Sequence, residues 1–215
     1  MNITLRGIIV LYIKINLIVF LLTVASVCAA PSGLLIIPTA DVLDRGIASK
    51  CIACSKPDAD NTETAFQLQF GLLSGIEIGY DVMDNGTSIG VWNIKSAIAW
   101  HEGTPIVALG IQNIRSGEDS QPYIVGCIPM GLGRLHAGFI DTEDHIRPML
   151  GYDRSLSKHL TLQADYTAGD ENAASIGLVI HLRNNLELAA GYIRNNSGAS
   201  RDGYMFNLSW SPRMF

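Results

Sequence analysis

Five histidines and a scatter of serines are the side chains that could carry hydrolytic chemistry in this chain of 215 residues. Such chemistry needs a hydroxyl nucleophile, an imidazole base and an acidic or amide partner that orients the base. Ser155, Ser157 and Ser175 have no nucleophile-elbow motif around them. The histidines are spread over different predicted strands and loops: His101, His136, His145, His159 and His181. We therefore expect no catalysis, and a hydrolase on a strand wall is the third alternative.

The cysteines have the spacing of a metal or redox pair in Cys51-Ile-Ala-Cys54. No second pair and no suitably spaced histidine follows, and residues three apart on a strand point to opposite faces. The sequence therefore predicts no metal and no cofactor. A disulfide from Cys127 to either Cys51 or Cys54 stays open in an oxidising compartment.

Charge and glycine placement exclude two further classes of partner. The net charge is −5, only 16% of residues are charged, and no basic stripe is present. The sequence therefore has no cluster of basic residues that would indicate binding to nucleic acid. The 21 glycines follow a strand-and-turn rhythm and none opens a helix, so no phosphate-binding loop is predicted.

The elements that must position the polar side chains are short β-strands. Residues 75–82 alternate apolar and polar side chains, which is typical of a strand with two different faces. Gly, Asn and Asp close most runs, and such short links join antiparallel neighbours. The pattern predicts about twelve strands in an up-and-down order. They lie near 46–54, 64–72, 75–83, 89–100, 104–114, 121–129, 132–140, 146–154, 158–167, 172–183, 185–194 and 202–211.

One face of these strands is apolar and the other is polar or small. In a bilayer only a closed barrel satisfies every backbone hydrogen bond between strands, and its apolar face must point outward. We therefore predict an all-β, antiparallel, up-and-down transmembrane β-barrel of about twelve strands. The charged residues predicted to line its lumen are Glu77, Asp81, Lys95, Arg134, His136, His159, Asp165, His181, Arg183 and Glu187.

Aromatic residues stand preferentially at the ends of the apolar series. Trp and Tyr favour membrane interfaces because an apolar ring carries a group that reaches the headgroups. The predicted girdle residues are Tyr80, Trp92, Trp100, Tyr166, Tyr192, Tyr204 and Trp210. A soluble secreted barrel that binds an apolar or carbohydrate ligand would show the same alternation with inside and outside exchanged.

The N-terminus divides into a predicted leader and a non-alternating segment. Residues 1–30 have a positive start, an apolar stretch and small residues before Pro31, which is typical of a cleaved signal peptide. A membrane anchor is the alternative. Residues 31–45 are predicted to be an extended segment that could enter the lumen as a plug, and residues 46–215 to be the barrel domain.

Two passages resemble the YjbH-type barrels associated with exopolysaccharide production. Pro31-Ser-Gly-Leu-Leu-Ile-Ile-Pro-Thr-Ala-Asp-Val-Leu is similar to the N-terminal segment of that family, with its Pro-Thr-Ala core. The second passage is Phe70-Gly-Leu-Leu-Ser-Gly-Ile-Glu-Ile-Gly-Tyr, followed by residues 105–114. The chain would be a minimal, single-barrel relative, and the resemblance implies a link to surface polysaccharide.

These patterns together predict an exported protein of the cell outer membrane. Its function would be that of a small passive channel or an envelope-associated barrel. The expected partners are the lipid bilayer, the barrel-assembly machinery, and either a polysaccharide or a small polar solute, with no nucleic acid.

Overall fold

Twelve antiparallel strands form a closed barrel in which each strand pairs with its sequence neighbours and β1 pairs with β12. The computed structural model describes residues 32–56, 63–84, 88–102, 104–117, 119–142, 145–197 and 202–214. The predicted signal peptide, residues 1–30, lies outside the described residues. The strands are β1 (Ala48–Lys56), β2 (Glu63–Leu73), β3 (Ile76–Asp84), β4 (Ser88–His101), β5 (Thr104–Ile114), β6 (Gln121–Met130), β7 (Gly133–Thr142), β8 (His145–Ser157), β9 (Leu160–Thr167), β10 (Ala173–His181), β11 (Leu186–Asn195) and β12 (Gly203–Trp210).

The predicted fold class, an all-β up-and-down barrel of about twelve strands, is confirmed by this topology. The closing pair runs antiparallel, with Lys50 opposite Trp210 and Lys56 opposite Tyr204. Closure leaves no sheet edge, so each of the twelve strands pairs with a neighbouring strand on both sides.

The alternation along each strand separates a buried interior from an exposed exterior. In β3, Glu77 and Asp81 are buried inside, whereas Tyr80 points outward and contacts Trp92 on β4 with ring centroids 4.7 Å apart. Large apolar side chains are exposed around the outside, among them Trp92 at 55%, Ile128 at 60% and Phe139 at 54%. The predicted orientation of the two faces is confirmed, and the inverted arrangement expected of a soluble barrel is not observed.

The two ends of the barrel differ in their connections. The links after β2, β4, β6, β8 and β10 have two to four residues, and we call this the short-turn end. The links at the opposite end, the long-loop end, have up to seven residues. β1 starts and β12 finishes at the short-turn end, where Met214 donates a backbone hydrogen bond to Gly46. In the part of the chain that the structure describes, no helix is long and apolar enough to cross a membrane.

Residues 32–43 enter the lumen and fold back on themselves, and we call them the internal hairpin. Leu34 donates a backbone hydrogen bond to Ile37 at 2.9 Å, and Thr39 donates one to Ser32 at 3.2 Å. Both ends of the hairpin contact Glu77 near the short-turn end, and its tip contacts Asp165 near the long-loop end. The segment therefore occupies the lumen over much of its length.

The tip of the internal hairpin is the centre of the buried apolar core. Leu34 and Ile37 pack in a cluster with wall residues of four strands, β5 to β8, and Leu35 packs against Ile193 and Met205. The wall residues of the first cluster are Ala108, Tyr123, Val125, Cys127, Ile140 and Met149. Gly71 lets the chain leave the lumen, because a Cβ there would lie 2.1 Å from the carbonyl oxygen of Asp44.

No disulfide joins Cys51 to Cys127, so that predicted alternative is wrong. The reason is topological, since β1 and β6 are separated by four strands in one direction around the barrel and six in the other. The side chain of Cys54 lies outside what the structure describes.

Candidate functional site

Eight of the ten residues predicted to line the lumen are at inward positions of the strands, where their side chains face the hairpin or the space beside it. They are Glu77, Asp81, Lys95, Arg134, His136, Asp165, His181 and Glu187. His159 and Arg183 lie elsewhere. His159 is exposed in the turn between β8 and β9, and Arg183 is exposed in the 3-10 turn Arg183–Asn185. The strands are shorter here than predicted, so the alternation does not extend to these two residues.

A buried ion pair, Glu77 with Lys95, holds both ends of the internal hairpin. The two residues are opposite each other on β3 and β4, and Lys95 Nζ lies 3.9 Å from Glu77 Oε1. Glu77 accepts hydrogen bonds from the backbone N–H of Ser32 and of Leu43, both at 2.9 Å, and from the Ser32 hydroxyl. Lys95 donates to the carbonyl oxygen of Ser32 at 2.6 Å and faces that of Thr39 at 3.5 Å.

A second carboxylate, Asp165 on β9, holds the tip of the hairpin. The backbone N–H of Ile36 donates to Asp165 Oδ2 at 3.0 Å, and the N–H groups of Leu35 and Ile37 face the same carboxylate. The Ser175 hydroxyl on β10 donates to Asp165 Oδ1. A tight turn leaves successive N–H groups without partners, and a carboxylate satisfies several of them together.

The returning strand of the hairpin is attached to the wall by Arg134 on β7. Its guanidinium binds Asp41 of the hairpin at 2.9 Å and Asp153 of β8 at 2.6 Å. His136 Nε2 lies 3.3 Å from Asp153 Oδ2. Asp41 and Asp153 are charged partners of Arg134 that the sequence prediction missed. The alternation on β8 assigns Asp153 to the inward face, so a signal for it was present, whereas nothing in the local pattern of Asp41 points to Arg134.

The hairpin fills one side of the lumen and leaves a cavity of about 250 Å³ on the other. The cavity lies between Ser32–Leu35 and the inward faces of β1, β2 and β9 to β12, and it reaches the short-turn end. Amides and hydroxyls form about half of its wall, including Gln67, Gln69, Gln163, Asn207, Ser49 and Ser209. This cavity is therefore small, with a wall of mixed polar and apolar character.

Beside this cavity, which His181 and Glu187 line, three inward side chains form a hydrogen-bonded row across β9, β10 and β11. His181 Nδ1 lies 2.7 Å from Glu187 Oε1, and His181 Nε2 lies 2.9 Å from the Thr161 hydroxyl. His181 and Glu187 are opposite each other in the β10–β11 register. No group of three or more His, Cys, Asp or Glu side chains suited to a metal ion occurs among the described residues.

All seven predicted girdle residues point outward and are exposed. Trp100 and Trp210 are near the short-turn end, and Tyr166, Tyr192 and Tyr204 are nearer the long-loop end. Tyr80 and Trp92 also point outward, and they are opposite each other away from the ends of β3 and β4. Lys50 Nζ lies 5.4 Å above the ring of Trp210, which places a cation beside an outward aromatic at the short-turn end.

Comparison of the chain with known proteins finds no matching family model and no matching curated protein. The resemblance to YjbH-type barrels therefore stays a prediction.

Proposed function

We propose that the protein is an integral outer-membrane β-barrel, a channel for small polar solutes that its internal hairpin keeps closed. The observation that carries the proposal is the distribution of side chains on the closed barrel. Large apolar residues are exposed outside, and charged residues are buried inside. Exposed apolar surface of this extent is unfavourable in water and favourable against lipid.

The polar lumen supports a path for solutes, and the hairpin supports its closure. The inward side chains of the wall are mostly amides, hydroxyls, charged groups and small residues, which a water-filled channel requires. The hairpin crosses this space, and its Leu34 and Ile37 are buried in the core. Burying each such side chain contributes about 1.5 to 3 kcal/mol, which favours the closed state.

The membrane part of the proposal is tested by where the chain partitions after expression with an export signal. We expect recovery in the outer-membrane fraction, extraction only with detergent, and a folded band that shifts in mobility on heating. Closed barrels resist unfolding by detergent at room temperature because every strand has two partners. Recovery of folded protein in the soluble periplasmic fraction without detergent would contradict the proposal and favour a soluble, ligand-binding barrel.

A link to surface polysaccharide is a separate expectation, which rests on the YjbH-type resemblance alone. It is tested by deleting the gene and measuring the amount of surface polysaccharide. An unchanged amount would contradict the link while leaving the membrane barrel untouched.

A further inference from the structure

We propose that Thr161, His181 and Glu187 form a nucleophilic site that hydrolyses short, uncharged carboxylic esters in the cavity of the barrel. The sequence predicts no catalysis, because its histidines and hydroxyls are dispersed along the chain. The fold brings these three side chains onto the inward faces of adjacent strands. His181 and Glu187 line the cavity, and the Thr161 hydroxyl lies 2.9 Å from His181 Nε2.

The two hydrogen bonds of His181 define how the site would work. A carboxylate only accepts hydrogen bonds, so Glu187 fixes the proton of His181 on Nδ1. Nε2 then carries a lone pair, which accepts the hydroxyl proton of Thr161. A hydroxyl, an imidazole and a carboxylate in this order constitute the arrangement that activates serine hydrolases, and it is recognised by geometry and not by sequence position.

A fourth residue, Gln163, supplies the donor that such a site needs for the developing oxyanion. Gln163 is two residues from Thr161 on the same face of β9, and it lines the cavity. Within the described part of the chain, its amide has no hydrogen-bond partner. A side-chain amide of this kind serves as an oxyanion donor in other hydrolases.

The reaction requires only the ester and water. The Thr161 oxygen attacks the ester carbonyl carbon while its proton passes to His181 Nε2. The bond to the alcohol oxygen breaks, and His181 returns the proton to that oxygen. Water then attacks the acyl-threonine carbon, again with His181 as base, and releases the carboxylic acid and the free hydroxyl.

The cavity decides the class of substrate. Its volume of about 250 Å³ matches a small molecule better than a long acyl chain. None of the described residues that line it is Lys or Arg, and Glu187 would repel a carboxylate or phosphate. An uncharged ester with a short acyl group therefore fits both the size and the charge of the space.

The test is hydrolysis of p-nitrophenyl acetate by the folded full-length barrel in detergent micelles. We expect a rate above that of buffer and micelles, with acetyl groups trapped on Thr161 and located by peptide mass mapping. Thr161→Val and His181→Gln should each lower the rate about 100-fold or more, since general-base catalysis contributes at least that factor. Thr161→Ser should retain activity.

Matched controls separate the site from general effects of substitution. Thr167→Val alters another inward threonine of β9, and His145→Gln alters an exposed histidine at the long-loop end, so both should keep the wild-type rate. Glu187 is a positioning residue. Glu187→Gln should lower kcat with little change in KM, because the amide no longer holds His181 in the tautomer that accepts the Thr161 proton while the cavity keeps its size.

Three results would overturn the proposal. They are a wild-type rate equal to that of micelles alone, acetylation only at other residues, and folded Thr161→Val with the wild-type rate. If a variant does not fold, the acetylation map of the wild type still decides. None of these results bears on membrane partition, so the proposed function is tested separately by the partition experiment.

Discussion

Glu77 and Lys95 carry opposite charges that are both shielded from solvent, with 1% of each residue exposed. Buried charges are tolerated when each is paired and when its remaining hydrogen-bonding capacity is filled. Here backbone groups of the internal hairpin fill that capacity, because Ser32 and Leu43 donate to the carboxylate and Ser32 accepts from the ammonium. The ion pair therefore stabilises the position of the hairpin inside the lumen, because its hydrogen bonds are satisfied only in that position.

Removing one charge of this pair is predicted to loosen the hairpin. Glu77→Gln leaves Lys95 buried without a counterion, at a cost of about 3 to 5 kcal/mol. The cost falls when the hairpin leaves and water reaches Lys95, so we expect a lower denaturation midpoint and a higher open probability in planar bilayers.

The matched control is Glu171→Gln, which makes the same chemical change in an exposed pair with Arg147. It should alter neither quantity appreciably, because water screens an exposed pair. Equal behaviour of the two variants would show that Glu77 does not hold the hairpin.

Local alternation places a residue inside or outside only where the strand itself extends. Glu77, Asp165 and Glu187 could be assigned to the interior from the two-residue period alone. His159 and Arg183 could not, because their side chains follow turn geometry at strand ends that the sequence pattern leaves uncertain by a few residues. The contact between Thr161 and His181 could not be predicted from the local sequence pattern either, because it depends on the register between β9 and β10.

At the scale of elements, the internal hairpin is held by both ends and by its tip. Pro38 and the loss of alternation in residues 31–45 indicate an extended segment, and this much follows from the sequence. Its path through the lumen rests on contacts with Glu77, Arg134 and Asp165, which are 34 to 129 residues away along the chain. No local pattern encodes contacts over such separations.

The close fit of the hairpin against β8 gives a steric prediction. A Cβ on Gly151 would lie 2.5 Å from Leu34 Cδ1 and 2.8 Å from Ile37 Cδ1. Gly151→Val should therefore push the tip away and increase conductance, with Gly151→Ala intermediate because the two methyl groups can shift slightly.

Gly126→Val is the matched control for this substitution. Gly126 faces outward on β6, and a Cβ there would meet its nearest atoms at ordinary distances of 3.6 and 3.7 Å. Wild-type conductance of folded Gly151→Val would contradict the placement of Leu34 and Ile37 against β8.

In the whole molecule, closure of the barrel and the two different faces of each strand together give a polar interior and an apolar exterior. The twelve strands could be predicted because each carries its own alternation and turn residues. The pairing of β1 with β12 joins residues more than 140 positions apart, as Lys56 and Tyr204 illustrate, and follows only from the requirement that a barrel leaves no edge. The lumen then takes its diameter from the strand number, and that diameter accommodates a folded hairpin.

If the internal hairpin closes a channel, deletion of residues 32–43 should open it. Wild-type and deleted proteins, both verified as folded by heat-modifiable mobility, are inserted into planar bilayers and their single-channel currents are recorded at the same salt concentration. We expect the wild type to stay mostly closed and the deleted protein to show a stable open level. Equal conductance of the two proteins, whether both are open or both are closed, would contradict closure by the hairpin.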